Sequence, residues 1–361
     1  MEKFGFVFHP LSIKDMEHVS PIMKFIPDSW IEAGLKMKKP FKVSHITGVK
    51  SPYAEAEGWF LGCTLTAKQM ITLPEEFVMD RIIETGKIGQ ELGAKIVGLG
   101  AFTSIVGDAG ITIAKNLDIA VTTGNSYTVA TALEGTKEAA RLMGKDFSKC
   151  HALVVGATGS IGSAVARILA DEVAKVTMVA RRMEPLEELA QEIIRNGKSE
   201  VAVSGDIRTA LKDADIVLTV TSALDFIIEP EYLKPGAIVC DVARPRNVSR
   251  EVADKRNDVL VIEGGVINVP GDVDFGFNFG FPPKTSYACM AETMILALDG
   301  RYENFSMGRT LELEKIKLIS ELAKKHGFSL AGFRNFERAV DMNRILEKKA
   351  AAEKIIAVHG L

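Results

Sequence analysis

Short apolar runs and helix-spaced apolar positions take turns along most of this chain. FGFVFHP reads as a strand ending at a turn. In FVMDRIIETGKIGQELG, residues 77–93, apolar positions fall at helical spacing and a glycine supplies the stop. AKIVGLGAF and NLDIAVTTGNS read as strands. SYTVATALEGTKEAARLMG reads as a helix opened by a Ser/Thr-rich cap and closed by Gly144. Residues 1–148 are therefore expected to form an α/β domain.

From Cys150 the alternation tightens. HALVVGA, AKVTMVARR, DADIVLTVTSA, AIVCDVA and VLVIEGG read as strands, with SIGSAVARILADE and EPLEELAQEIIRNG as helices between the first of them. Strands alternating with helices predict a Rossmann-type, doubly wound parallel sheet over 149–268. The remainder, 269–361, changes character. GDVDFGFNFGFPP is rich in Gly and Phe, shows no periodicity and reads as a loop. A C-terminal helical region follows, with helices over 285–298 and 311–326 and a charged segment from about residue 335.

Composition narrows the classes. A chain of 361 residues exceeds one growing core, which agrees with several domains. A net charge of −3 gives no global field for nucleic acid or an anionic membrane. No apolar run approaches the ~18 residues needed to span a bilayer, and the N-terminus carries charges and a proline. A cytoplasmic protein without stable membrane insertion is expected. The four cysteines, Cys63, Cys150, Cys240 and Cys289, form no close pair, so neither a zinc site nor a disulfide framework is expected. The histidines form no ligand spacing either. His9 ends a strand and could face a cleft, whereas His45, His151, His326 and His359 read as surface or structural.

The sharpest motif is a glycine-rich turn, Gly156-Ala157-Thr158-Gly159-Ser160-Ile161-Gly162, leaving a strand and opening a helix. The first glycine permits the tight turn. The second lets backbone amides approach a pyrophosphate, and the third allows close helix–strand packing. An NAD site calls for an acidic residue at the end of the next strand. This strand ends instead in Arg181 and Arg182, whose guanidinium groups suit a 2′-phosphate. NADPH is thus expected, with Thr221 and Ser222 at the end of DADIVLTV as further contacts.

Two other stretches carry chemistry. Thr122, Thr123, Gly124, Asn125, Ser126 and Thr128 lie between a strand and a helix, and fit either an N-cap or a site for a carbonyl oxygen or the nicotinamide ribose. FTSIVGD is a similar small-residue loop. In PPKTSYACMAETMILALDG, Cys289 falls in or just past the first turn of a helix expected to be capped by Thr285 or Ser286. There the helix dipole stabilises a thiolate. A buried packing cysteine is the competing reading. Glu292, three residues on, raises the thiol pKa if it faces the sulfur, and could supply a proton.

FGFVFHPLS, LGAFTSIVGD, TTGNSYT, GATGSIGSAVAR, YACMAE and NFSMGR, in this order, resemble the long-chain fatty acyl-acyl-carrier-protein reductases of cyanobacteria over roughly nine-tenths of the chain, to Phe328. The resemblance implies NADPH-dependent reduction of an acyl thioester to a fatty aldehyde, with Cys289 as nucleophile and an acyl-binding N-terminal domain. It also implies the glycine turn and Arg181 as the cofactor site, and a role for Asn125 in orienting the acyl group or the oxyanion. The chain departs by continuing about thirty residues past KKHGF. The acyl donor is accordingly expected to be acyl-carrier protein or acyl-CoA. Lys36, Lys38, Lys39, Lys42 and Lys50 make a patch able to steer an acidic carrier, or a solvated basic loop. The alternatives are a shikimate-dehydrogenase-like ketone reductase and a non-enzymatic NADPH sensor.

Overall fold

The computed structural model describes residues 1–14, 24–223, 227–336 and 338–359; the side chain of His359 lies outside the described residues. The chain divides into two compact units, Met1–Tyr127 with Ile267–Ser329, and Thr128–Val266 with Leu330–Leu361. The stretch 269–361 is thus divided between the two: residues up to Ser329 belong to the first unit and Leu330–Leu361 to the second. The first boundary falls at 127/128, inside the helix Asn125–Leu142 rather than after it.

The first unit is built on a six-stranded sheet. In chain order its strands are β1 (Glu2–Phe8), β2 (Phe41–Lys50), β3 (Glu55–Gly62), β4 (Ile96–Leu99) and β5 (Ala120–Thr122). β1 pairs in parallel with β3 and β4, and β4 with β5. β2 runs antiparallel to β3, and Gly271–Asp274 antiparallel to β2. The inner strands are apolar because both faces are covered. On one face the helix Glu75–Glu91 approaches β1 closely: a Cβ on Gly5 would lie 3.7 Å from the Gly89 backbone. The helix Ala288–Leu298 packs against β4, where a Cβ on Gly98 would stand 2.0 Å from Thr293 Oγ1.

Two sequence expectations change here. The lysine-rich stretch is not a loop. Lys36 lies on the helix Asp28–Met37, and Lys42 and Lys50 lie on β2, a strand with only three buried residues, which blurs the apolar signal. The GDVDFGFNFGFPP segment does have a period, of two. Phe275 is buried and Phe277, Phe279 and Phe281 half-buried, while the residues between them are exposed. The start of the segment, Gly271–Asp274, is a strand of the sheet rather than loop, and beyond it Gly276 and Gly280 take left-handed backbone.

The second unit carries six parallel strands: β6 (His151–Val155), β7 (Lys175–Val179), β8 (Glu200–Ser204), β9 (Ile216–Thr219), β10 (Ile238–Asp241) and β11 (Leu260–Glu263). The order β11-β10-β9-β6-β7-β8 reverses direction at β6, the doubly wound arrangement expected. β8 is the strand that the sequence reading passed over. The charged C-terminal segment folds as a hairpin, Phe333–Asn335 with Arg338–Val340, and a helix, Met342–His359.

Candidate functional site

The helix Ala288–Leu298 is packed on every side, and ten of its eleven residues are buried, Glu292 and Thr293 among them. The exception is Cys289, which is partly exposed. The helix starts later than expected: Thr285–Tyr287 is a short strand and Tyr287 occupies the N-cap, so Cys289 is the second helical residue. Its thiol therefore belongs to the turn whose amides have no intrahelical acceptor. The other three cysteines are buried, and burial pushes Cys63 and Cys150 up to about 11 and Cys240 up to about 12.

Gly124 lies directly against this turn. It is left-handed (φ 74°), and a Cβ built on it would stand 2.3 Å from Cys289 Cβ and 2.4 Å from Cys289 Cα. Thr122-Thr123-Gly124-Asn125 thus leaves β5, packs on the cysteine and enters the helix Asn125–Leu142. Asn125 is buried at that helix start.

Glu292 is fully buried and fixes this geometry. Its Oε1 accepts from the Thr122 hydroxyl and, at 2.7 Å, from the Ser306 hydroxyl. Its Oε2 accepts from the Tyr127 amide at 2.7 Å, and the Gly124 amide also bonds the carboxylate. Burial raises its pKa, and these donors work against the rise. Both oxygens thus accept hydrogen bonds, from the loop, the helix start and Ser306.

Ser306 completes the cluster. The Ser126 amide donates to its hydroxyl oxygen at 3.1 Å, and Thr123 donates to its carbonyl. Its neighbour Phe305 bridges to Thr122, and the Asn304 side chain accepts from the Val121 amide at 2.9 Å. The sequence reading quoted NFSMGR without giving Ser306 a place. The signal lay only in the ordered recurrence of the three motifs.

His9 faces Phe102 rather than an open cleft. It is buried, and its Nε2 accepts from the Phe102 amide at 3.1 Å. That contact anchors the loop after β4, which carries two alanines in left-handed backbone, Ala101 and Ala109.

An aromatic run lies in the same unit. Phe277 packs on Phe8 (5.8 Å between ring centres), and Phe275, Phe277 and Phe279 surround Phe60. Phe279 meets Phe281, which meets Tyr287 at 4.4 Å, two residues before Cys289.

In the second unit, the three glycines of the turn differ in what surrounds them. A Cβ on Gly156 (φ 88°) would meet the Val220 carbonyl at 3.1 Å, and one on Gly162 the Gly156 carbonyl at 2.2 Å. A Cβ on Gly159 would meet only the Gly156 carbonyl, at 3.4 Å. Two glycines are therefore required by packing, while the middle one leaves open space at the N-cap of the helix Ser160–Leu169. That is the cradle a pyrophosphate needs. Residues 137–263 match the family described as Shikimate / quinate 5-dehydrogenase. This segment is an NAD(P)-binding oxidoreductase domain. Within it Arg181 and Arg182 are exposed just beyond β7, and Ser222 is exposed beyond β9. Thr221 is held to Asn247, its hydroxyl donating to Asn247 Oδ1 at 2.9 Å. Asp241, at the end of β10, accepts from the Ala243, Asn247 and Val248 amides; burial pushes it up to about 6. The sequence reading gave neither Asn247 nor Asp241 a role.

Relatives align along most of the chain. It is 30% identical over 363 residues to aminotransferase PigE of a Serratia species, taking in 96% of this chain and 42% of that protein. The chain thus spans less than half the length of that relative. It is 28% identical over 350 residues to the long-chain acyl-(acyl-carrier-protein) reductase of Synechococcus elongatus, covering 90% of this chain and 98% of the reductase. Shikimate 5-dehydrogenase from Listeria monocytogenes covers 89% of this chain and 96% of its own, at 12% identity and a TM-score of 0.38, too distant to bear on activity. Among the described residues, no helix is long and apolar enough to cross a membrane.

Proposed function

We propose that this chain reduces a long-chain acyl thioester to a fatty aldehyde with NADPH, through an acyl-enzyme on Cys289. The observation that carries the reading is the helix Ala288–Leu298, buried at every residue except a first-turn cysteine. The amides of that turn favour a thiolate. The thiolate attacks the thioester carbonyl carbon, the bond to the carrier sulfur breaks, and the carrier leaves as a thiol after taking one proton. The glycine turn Gly156–Gly162 would hold a reduced nicotinamide cofactor, which when bound would supply the hydride that takes the acyl carbon to the aldehyde level. Expulsion of the Cys289 sulfur from the resulting hemithioacetal frees the aldehyde and restores the thiolate. Acyl thioester, NADPH and one proton are consumed for each aldehyde, carrier thiol and NADP⁺ formed.

Asn125 and the amides around it are the groups assigned to the acyl oxygen, since they start a helix against which Cys289 is packed. Glu292 keeps that contact in register. The aromatic run from Phe8 and Phe60 to Tyr287 supports an apolar, long-chain acyl group. Arg181 and Arg182 support NADPH over NADH. Exposed Lys38, Lys39 and Lys42 support an acidic acyl carrier as donor, with acyl-CoA as the simpler one.

The match of 137–263 to Shikimate / quinate 5-dehydrogenase favours a second reading, direct reduction of a ketone without a covalent intermediate. Replacing Cys289 by Ser separates the two. Thioester reduction falls to background on the first reading, whereas full activity in Cys289→Ser supports the second.

A further inference from the structure

The crevice of a doubly wound sheet opens where the strand order turns back, outside the carboxyl ends of the strands. In this sheet that point lies between β6 and β9. The glycine turn forms one side of it and the segment after β9 the other. The two are in contact: a Cβ on Gly156 would stand 2.9 Å from Thr221 Cγ2 and 3.1 Å from the Val220 carbonyl oxygen.

Sheet bonding ends at Val220, whose amide donates to the Val155 carbonyl at 3.0 Å. From there Asn247 takes over. Its Oδ1 accepts from the Thr219 hydroxyl at 2.7 Å, the Thr221 hydroxyl at 2.9 Å and the Thr221 amide at 3.2 Å. Its carbonyl accepts from the Ile227 amide at 2.9 Å. Asp241 fixes Asn247 in turn, Oδ2 accepting from the Asn247 and Val248 amides, both at 3.0 Å. Asn247 is fully buried, so it acts on the crevice through Thr219 and Thr221 rather than by contact with a ligand. The Thr221 hydroxyl is committed as well: it donates to Asn247 and accepts from the Ala223 amide at 3.1 Å.

We propose that Asn247 is a positioning residue for the nicotinamide dinucleotide. By holding the turn after β9 against Gly156, it sets the affinity of the crevice. The inference rests on the assignment of 137–263 as an NAD(P)-binding domain, and involves neither Cys289 nor the acyl-enzyme reading.

Asn247→Ala removes the acceptor. Thr219 and Thr221 then regain one by turning to water, which draws the turn away from Gly156. Only the fraction still docked binds the cofactor, so Kd rises by the inverse of that fraction. Titration of the full chain with NADPH and with NADH, followed by nicotinamide fluorescence well below each variant's melting temperature, reads the effect. Asn247→Ala should weaken both cofactors at least about tenfold and by a common factor, since the arginines beyond β7 lie on the other side of β6. A residue serving folding alone would lower the melting temperature and leave these Kd values unchanged. Thr221→Val loses the hydroxyl bond and should weaken binding less than Asn247→Ala does, with no further loss when the two are combined. Thr221→Ser keeps that bond and should bind as the wild type does. Should Asn247→Ala not fold, the two Thr221 variants carry the comparison. The proposal is overturned by unchanged affinity in folded Asn247→Ala, by a shift in the NADPH-to-NADH ratio in place of a common factor, or by equal effects of Thr221→Val and Thr221→Ser. A wild type that binds neither cofactor would overturn it together with the domain assignment.

Discussion

Gly124 and Cys289 touch backbone to backbone: a Cβ on Gly124 would stand 2.4 Å from Cys289 Cα. No side chain fits between them, so the loop after β5 sets where the thiol sits. Gly124→Ala must displace one of the two segments and also strains a left-handed residue, at a cost of about 1–3 kcal/mol. The rate of acyl-adduct formation should fall on the order of a hundredfold, since a 1 Å misplacement can cost that much. Melting temperature and single-turnover acylation measure the two effects separately.

The four cysteines should differ sharply toward an alkylating reagent. Cys289 is partly exposed, and burial holds the thiols of Cys63, Cys150 and Cys240 protonated. One equivalent of iodoacetamide at pH 8 should label Cys289 alone, with the other three reacting only after denaturation. Peptide mapping reads the outcome, and comparable labelling of a second cysteine in the native protein would contradict the burial pattern.

Glu292 should matter to stability in a pH-dependent way. Its pKa is raised by burial. Between about 4.3, the ordinary value, and its native value, the folded protein holds a proton that the unfolded chain has released. Stability therefore falls as pH rises through that window and levels off above it. Glu292→Gln removes this slope. It also turns an amide N–H₂ toward donors that now lack an acceptor, costing roughly 1–3 kcal/mol for each left unmet. Denaturant melts from pH 4 to 8 compare the two proteins. A parallel pH profile in the variant would remove Glu292 as the source.

The proposed preference for NADPH rests on two exposed arginines, Arg181 and Arg182. Arg181→Asp with Arg182→Ser should raise KM for NADPH at least about tenfold and lower it for NADH, because a bidentate phosphate contact is lost and a ribose hydroxyl acceptor gained. Steady-state kinetics with both cofactors decide it, and an unchanged NADPH preference would remove the arginines from the site.

Much of this architecture is legible in the chain. In the second unit β6, β7, β9, β10 and β11 are short apolar runs, so local pattern and final topology agree there, whereas β8 has no fully buried residue and escaped notice. The glycine turn is equally readable, because its three positions do three separate jobs within seven residues. The first unit is harder. β2 is half-exposed, and the phenylalanines of 275–281 alternate with glycines that conceal their period. The unit is also discontinuous, since the chain returns to it at Ile267 after completing the six-stranded sheet of the other unit. The site suffers from the same distance. Thr122 and Glu292 are 170 positions apart, and their contact needs the fold. Glu292 looked like a proton source beside a thiol because sequence shows spacing and not burial. Ser306 carried no chemical signal of its own.

The most direct measurement of the central claim is intact-protein mass spectrometry after mixing with palmitoyl-CoA in the absence of NADPH. The account predicts a single palmitoyl adduct that maps to Cys289, disappears in Cys289→Ser, and is discharged as an aldehyde when NADPH is added. Turnover of the thioester with no adduct, or with an adduct on another residue, would contradict it.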